Sequence, residues 1–401
     1  MRLGMIGTDA RLQDLAAAAR RRGDTLVAAP VDGGKSWEPL LDAGACDAVA
    51  VGMDDDRRHG EMADAVRLLV QAGRTVVVPQ PLVNSMLWAY ELDMVARDSG
   101  AVLVPWLPSR LHPYVARLKQ QVEEGVSGAH PLGPLESVRF ERAMELRTRE
   151  TVLAALARDA DLVRILVGEP ERLATLGAGD ADSAWPTLAV GFSGQALVPV
   201  RWQVSPGARP GLSIVLQHAR GSVDVWAPDE VAPWIWHGPP EETLGFDPAA
   251  TMLEVLQAVV DPAHGDRTVE AGSATIVPAD WADAARAIEL ADTVPRSLAK
   301  GRAVDLHREE FSELNTFRGT MASLGCGLVL AALLLLVTAT LVAGMAREFG
   351  WEFGVRLADA WPTVILVALV AFLALQLLPM VVGGGRSGSG TPGPKNPGKL
   401  G

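Results

Sequence analysis

Residues 3–15 read LGMIGTDARLQDL. A short apolar strand, Leu3 to Ile6, runs into Gly7, and a helix-like stretch follows. A strand that ends on glycine and restarts as a helix is how a doubly wound parallel sheet begins. Its first turn is where such sheets seat the phosphates of a dinucleotide. Three glycines normally build that turn. The first bends the chain, the second lets the backbone approach the pyrophosphate, and the third lets helix and strand pack closely. Gly7 fills the first place. Asp9 stands in the second and sets a negative charge beside an anionic group, which opposes binding. Leu12 stands in the third and brings bulk. Thr8 can still donate a hydrogen bond to a phosphate, and the helix N-terminus still attracts anions. Two readings stay open: a weakened dinucleotide site, or a shell of the fold that binds nothing there.

Outward from this turn, residues 1–128 alternate short apolar strands with helical segments. Strands are expected at Leu3–Ile6, Thr25–Ala29, Ala48–Val51, Thr75–Val78 and Val102–Val104, as continuous apolar runs of the kind that buried parallel strands require. In HGEMADAVRLLVQAG the residues Met62, Ala65, Val66, Leu69 and Val70 share one helical stripe, and Gly73 ends it. The texture changes after Gly133. PLESVRFERAMEL, PTLAVGFSG, QALVPVRWQV, LSIVLQHARGSVDVWA and ATIVP read as strands of a larger, mainly antiparallel sheet. TVLAALARDADLVRILVG and ATMLEVLQAVVD interrupt them as helices, and WADAARAIELADTVPRSLAKG is a third helix. The expected fold is α/β, with a Rossmann-type doubly wound sheet over 1–128 and an α+β domain over 129–306.

Composition removes several function classes. The net charge is −12 over 401 residues and no Lys/Arg-rich run occurs, so no nucleic acid is expected as a partner. The two cysteines, Cys46 and Cys326, exclude a disulfide framework and a cysteine zinc site, and fit a reducing compartment. The start, MRLGMIG, has too short an apolar run for a secretory signal. The seven histidines show no HxH or HExxH spacing, so no metal is expected. Asp54 to Asp56 and the Asp180/Asp182 pair read as solvated acid rather than cation ligands.

Two uncharged runs close the chain, at 319–346 and 360–385. A span needs roughly 20 apolar residues to cross the hydrocarbon core of a bilayer, and both runs are long enough. They are expected as transmembrane helices, after a juxtamembrane linker at 307–318, with a loop at 347–359 and a disordered Gly/Pro/Ser-rich tail at 386–401. Lys300, Arg302, Arg308 and Arg318 precede the first run, and Arg386, Lys395 and Lys399 follow the second. The loop holds only Arg347 and Arg356. Positive flanks favour the cytoplasmic side, which implies a multi-pass protein of the cytoplasmic membrane with the soluble part and both termini inside. Without buried ionisable residues the hairpin is a poor transport pathway, so anchoring is the expected role.

Several stretches in this order resemble the Gfo/Idh/MocA family of NAD(P)-dependent oxidoreductases. They are LGMIG; CDAVAVG followed by HGEMADAVRLLVQAGRTVVVPQPL; RLHPYVARLKQQVEEGVSGAHPLGPLESVRF; DLVRILVGEP; and WADAARAIELADTVPRSLAKGRAVDL. The resemblance covers about residues 1–306 and does not include the two C-terminal runs. It implies NAD or NADP as cofactor, a substrate cleft at the carboxyl ends of the Rossmann strands, and a homo-oligomer formed through the sheet of the second domain. It also implies site residues, and here the chain departs from the pattern. The family usually reads Glu-Lys-Pro where this chain has Pro79, Gln80 and Pro81. Gln80 does not titrate and cannot take the acid/base part of that Lys. The family's catalytic His, three residues before an Asp, falls on Arg158 when Asp161 and Gly168 are aligned. Arg stays protonated, so it cannot abstract a proton, although it can bind a carboxylate or phosphate. A surface Arg on an amphipathic helix is the plainer alternative. The acidic residue that holds the adenosine ribose is replaced near Pro30 or Val31, with Asp32 slightly late.

Arg110 and His112, in RLHP, match a family stretch near the cleft, though a surface turn explains them as well. Trp226, Trp234, Trp236 and His237 fit either an aromatic platform for a sugar ring or core packing. Two functions follow as expectations. One is a membrane-anchored, catalytically degenerate homologue that binds a small ligand or a protein. The other is an active oxidoreductase for a sugar or cyclitol-like substrate.

Overall fold

The computed structural model describes residues 1–306 apart from 8, 29–36, 54–58, 177–183, 195–197, 230–231, 239–240, 262–267 and 272–273, with scattered positions between 337 and 350. The chain divides into two compact units, Met1–Arg308 and Glu309–Gly401. No helix among the described residues is long and apolar enough to cross a membrane. The runs expected to span, 319–346 and 360–385, lie outside the described residues save for a few helical positions from Val337 to Met345.

The first unit opens with β1 (Arg2–Ile6), α1 (Ala10–Arg22), β2 (Thr25–Ala28), β3 (Ala48–Val51), α2 (His59–Gln71), β4 (Thr75–Pro79), α3 (Met86–Ser99) and β5 (Val102–Trp106). Its five strands are parallel in the order β2-β1-β3-β4-β5. All four residues of β3 are buried, so both faces of the sheet are covered. Strand order reverses at β1, which puts the crevice between the carboxyl ends of β1 and β3, where open α/β sheets take ligands. Gly23 and Gly100 close α1 and α3 in left-handed conformations that satisfy the last carbonyls.

A 3-10 turn at Pro108–Leu111 leads into α4 (Pro113–Ser127), β6 (Leu135–Met144) and α5 (Arg149–Val167). Then follow β7 (Arg172–Leu176), β8 (Ala189–Ser193), β9 (Val200–Pro206), β10 (Gly211–His218), β11 (Gly221–Pro228), β12 (Trp234–His237) and β13 (Glu242–Leu244). After these come α6 (Pro248–Val260), β14 (Val269–Ala271), β15 (Ala274–Ile276), α7 (Trp281–Lys300) and β16 (Val304–Asp305). The large sheet has nine strands in the order β13-β12-β11-β10-β6-β9-β8-β7-β16. It is antiparallel except for the β6–β9 pair. Inward residues of β6, Val138 and Phe140, pack against Val152, Leu156 and Val163 of α5. Reciprocal side-chain caps, Thr148 with Thr151, start α5 and fix its register on that face.

One segment departs from the pattern expected of it. ATIVP is not a strand of the large sheet; β15 pairs with β14 in a separate two-stranded ribbon packed on α4. The α6 helix forms where a helix is expected. Its Met252, Leu253 and Leu256 share a core with Leu12 and Leu15 of α1, so the chain returns to the parallel domain. The α7 helix joins both halves. Trp281, Ala284 and Ile288 belong to the core beneath β4, while Leu290 and Val294 belong to the core of the large sheet.

Candidate functional site

The crevice at β1 and β3 is filled by the chain itself. Gly7 adopts φ +106°, and a Cβ there would meet the backbone of Gly52 at 3.3 Å, so the two strand ends nearly touch. Leu12 is buried, and its Cδ1 lies where a Cβ on Gly52 would have to pass, only 2.5 Å away. Asp9 caps α1: its Oδ1 accepts from Leu12 N at 2.8 Å and its Oδ2 from Met53 N at 2.9 Å. One carboxylate thus takes a free donor of the helix N-terminus and a donor at the end of β3. These are the N–H groups and the positive dipole end to which an anionic ligand would bind. Thr8 and Asp32 lie outside the described residues, as do Asp54 to Asp56, Asp180 and Asp182.

Gln80 follows directly on β4 and is 1 % exposed. Its Nε2 donates to the Ala284 carbonyl of α7 at 2.9 Å, while its buried Oε1 has no hydrogen-bond partner among the described residues. Pro81 is buried beside it. The family Lys position therefore faces the first turn of α7.

Arg110, Asp161 and Asp283 meet at the same turn. The Arg110 guanidinium contacts the Asp161 carboxylate at 3.2 Å and that of Asp283 at 2.5 Å. Arg164 adds a bond to the Asp283 carbonyl at 2.9 Å and a contact with its carboxylate at 3.1 Å. Burial pushes the Asp161 carboxyl up to about 6, against the opposing pull of Arg110. Asp161 is thus a buried group that ties α5 to the turn after β5.

Arg158 stands apart from this network. It is half-buried on α5, and no hydrogen bond or ion pair to it is found among the described residues. Burial presses its pKa down, with the Arg142 guanidinium next and Arg11 also contributing. Its neighbour Arg142 is fully engaged. Arg142 Nε donates to Asp159 Oδ2 at 2.9 Å, a second bond reaches Asp159 Oδ1, and Nη1 holds Asp229. Trp202 Nε1 completes the shell of Asp159 at 2.8 Å. Burial works against the charge of Arg142, yet the two carboxylates hold it firmly protonated. Arg142 and Asp159 went unread in the sequence, although a signal was there. Arg142 has the same strand parity as Val138 and Phe140, so alternation alone sends a charge into the core.

The RLHP histidine is not on a surface turn. His112 is fully buried and caps α4, its Nδ1 accepting from Tyr114 N at 3.0 Å. Burial holds its pKa down to about 4, against a weaker pull from the Leu244 backbone, so the ring is neutral near pH 7. Trp234 stacks on it with centroids 4.0 Å apart. Trp236 packs edge-on to Tyr114 at 5.3 Å and carries the Arg117 guanidinium over its ring at 4.0 Å. Both tryptophans are buried. These contacts make them packing between α4 and β12 rather than a sugar platform. Trp226 covers Gly211 on β10, and His237 pairs with Glu241 at 3.1 Å. No group of three or more His, Cys, Asp or Glu suited to a metal is found among the described residues.

A parallel sheet with its crevice at β1/β3, followed by a nine-stranded mixed sheet, is the fold of the Gfo/Idh/MocA-type oxidoreductases. No family model matches the sequence, and no curated protein matches it. Solved structures do. A proposed myo-inositol dehydrogenase from Sinorhizobium meliloti aligns at 17 % identity over 77 % of this chain and 100 % of its own, with a TM-score of 0.54. A levoglucosan dehydrogenase solved with NADH aligns at 15 % over 77 % and 99 %, with a TM-score of 0.54. A biliverdin reductase from Synechocystis solved with biliverdin and NADP+ aligns at 15 % over 74 % and 98 %, with a TM-score of 0.52. At these identities the likeness is one of fold, and a fold shared by a sugar dehydrogenase and a bilin reductase does not choose a substrate.

Proposed function

We propose that this protein is a membrane-anchored relative of the Gfo/Idh/MocA-type oxidoreductases that binds a small ligand or a protein partner in its cleft and does not transfer hydride. One observation carries the reading. The Asp9 carboxylate occupies the N-terminus of α1 and the Met53 N–H, with Leu12 packed between Gly7 and Gly52. A pyrophosphate arriving there would find the donors taken and a negative charge in its place. Two unit charges at about 4 Å repel by roughly 4 kcal/mol at a surface-like dielectric.

The reaction-bearing positions support the same reading. Gln80 cannot accept and return a proton, and its one bonded donor is committed to α7. Arg158 is a permanent cation at the position of the family's acid/base. NAD or NADP would have to bind here without the phosphate seat. The proposed anchor is the pair of uncharged runs at 319–346 and 360–385, with the basic flanks placing both termini in the cytoplasm. Homo-oligomers would form through the face of the nine-stranded sheet turned away from α5, where Glu141, Ser213, Trp226 and Ile235 stand; a monomer in analytical ultracentrifugation would remove that part.

Calorimetric titration of the full-length protein in detergent with NADH and NADPH tests the central claim. The expected result is no heat and no thermal shift at millimolar cofactor. A micromolar dissociation constant, about −8 kcal/mol, would overturn it. A screen for oxidation of sugars and cyclitols would then follow, because an active dehydrogenase is the reading that such binding supports.

A further inference from the structure

We infer that His130 and His218 form an acid-released latch. It holds the segment after α4 to the turn between β10 and β11 near neutral pH and lets go when the rings take up protons.

Both rings are buried, and they stack with centroids 4.1 Å apart and planes 18° from parallel. Gly125 of α4 makes the room: a Cβ there would lie 2.9 Å from His218 Cε1. The hydrogen bonds fix where the protons sit. His130 Nδ1 accepts from Leu132 N at 3.2 Å, so that nitrogen is bare and the ring's proton is on Nε2. His218 Nδ1 faces the Gly133 carbonyl at 3.0 Å. A carbonyl only accepts, so here Nδ1 carries the proton and Nε2 is bare. That Nε2 is buried and has no hydrogen-bond partner among the described residues. Neither ring can therefore be charged in place. A proton on His130 Nδ1 would aim a donor at the Leu132 N–H and break that bond. A proton on His218 Nε2 would bury a donor with no acceptor, against a second ring. Two other charged groups belong to the same turns. Glu124 of α4 accepts the His130 N–H on its carbonyl at 3.1 Å, and its carboxylate takes Gln120 Nε2 at 2.8 Å. Arg220 donates to the Pro131 carbonyl at 2.8 Å, which adds a second cation and no acceptor. Burial holds the His130 ring below its ordinary range, with His218 pressing the same way and the Glu124 carboxylate pulling against both. The opened turn thus binds more protons than the closed one. The latch is at full strength above pH 6.5 and weakens as pH falls.

The amides that report on the latch are those of Leu132, Gly133, Ala219 and Arg220, which bond to His130 Nδ1 and to the carbonyls of His130, Pro134 and Leu132. Hydrogen exchange read by mass spectrometry on the full-length protein in detergent compares about pH 7.5 with about pH 5.5, with rates corrected for the intrinsic effect of pH. Each proton taken up on opening raises the opening constant by up to about tenfold at the lower pH, given an ordinary pKa of 6.5. Protection of peptides 128–136 and 216–222 should therefore fall by roughly threefold or more, while that of the buried strand β3 stays the same. His130→Asn and His218→Asn each set an amide where Nδ1 stands, which can keep the bond and does not titrate. Each single variant should lose part of the pH effect, and the double variant all of it. Equal protection of both peptides at the two pH values in the wild type overturns the latch. So does a double variant that loses as much protection as the wild type. Should the double variant not fold, the single variants decide: the full wild-type effect in both of them overturns the latch, and a reduced effect in either supports it.

Discussion

Replacing Asp9 tests whether the carboxylate at the α1 N-terminus is a built-in substitute for a ligand's phosphate. Two bonds are at stake, to Leu12 N at 2.8 Å and Met53 N at 2.9 Å. The first is a helix N-cap, and losing such a cap costs about 1 kcal/mol. The second joins the turn after β1 to the turn after β3, 44 residues apart in sequence, and a hydrogen bond to a charged group contributes about 1.5–3 kcal/mol. Asp9→Ala should therefore destabilise the first unit by roughly 2.5–4 kcal/mol. Asp9→Asn keeps one acceptor oxygen but turns the other into a donor, which cannot serve a second N–H. It should retain the cap and lose the Met53 bond, at a cost of about 1.5–3 kcal/mol. Hydrogen exchange followed by mass spectrometry resolves the two. In Asp9→Asn the peptide containing Met53 should exchange faster while that containing Leu12 stays protected; in Asp9→Ala both should speed up. Equal protection of both peptides in all three proteins would refute the reasoning, because the carboxylate would then be holding nothing.

The other expectations are distinct from this one. Arg142→Met leaves Asp159 buried with only Trp202 for a partner and should destabilise the protein by about 3–5 kcal/mol in urea unfolding; a loss below about 1 kcal/mol would mean the network is not held as described. Asp161 has a folded pKa of about 6 against an ordinary 3.8, so between those values the native state binds more protons than the unfolded chain. Its contribution is present in full below pH 3.8 and is lost as pH rises to about 6. Wild-type stability relative to Asp161→Asn should fall across that window and level off above it, and parallel stability curves would contradict the assignment. For the proposed anchor, the full-length protein should stay in the membrane fraction through alkaline carbonate extraction, whereas release into the supernatant would remove the two spans.

The parallel sheet was legible because buried parallel strands are continuous apolar runs, and AVAV at Ala48–Val51 has no other economical use. Partners across long sequence separations were not. ATIVP reads as a strand, but nothing local says that it pairs with Val269–Ala271 rather than with the large sheet. The apolar stripe of α6 is plain, yet its choice of α1 depends on an α1 face that a single stretch cannot announce. The site shows the same division. The sequence says that Asp9 puts a negative charge in the phosphate seat, but not that the carboxylate reaches Met53. Period-2 spacing says that Trp234 and Trp236 share a face, but burial decides that the face is inward. His112 reads as a turn residue from its neighbours, while its stacking on Trp234 comes from a strand more than a hundred residues away.

These contacts share a consequence for how the cleft can work. The first turn of α7 receives Gln80 from the end of β4, Arg110 from the end of β5, and Arg164 from α5, with Asp161 joined through Arg110. The first turn of α7 belongs to the core of the parallel domain, so opening that domain away from the large sheet would have to break the bonds that reach α5, Arg110 to Asp161 and Arg164 to Asp283. It would expose or strand a buried carboxylate and a buried guanidinium, and unpaired buried charges are among the most expensive groups to create. A ligand entering between the two sheets must therefore be taken with little domain movement, by side chains that are free beforehand. Asp159, Asp161 and Asp229 are all committed. Arg158 keeps its side-chain donors uncommitted among the described residues, and a guanidinium there is suited to hold an anion and not to move a proton.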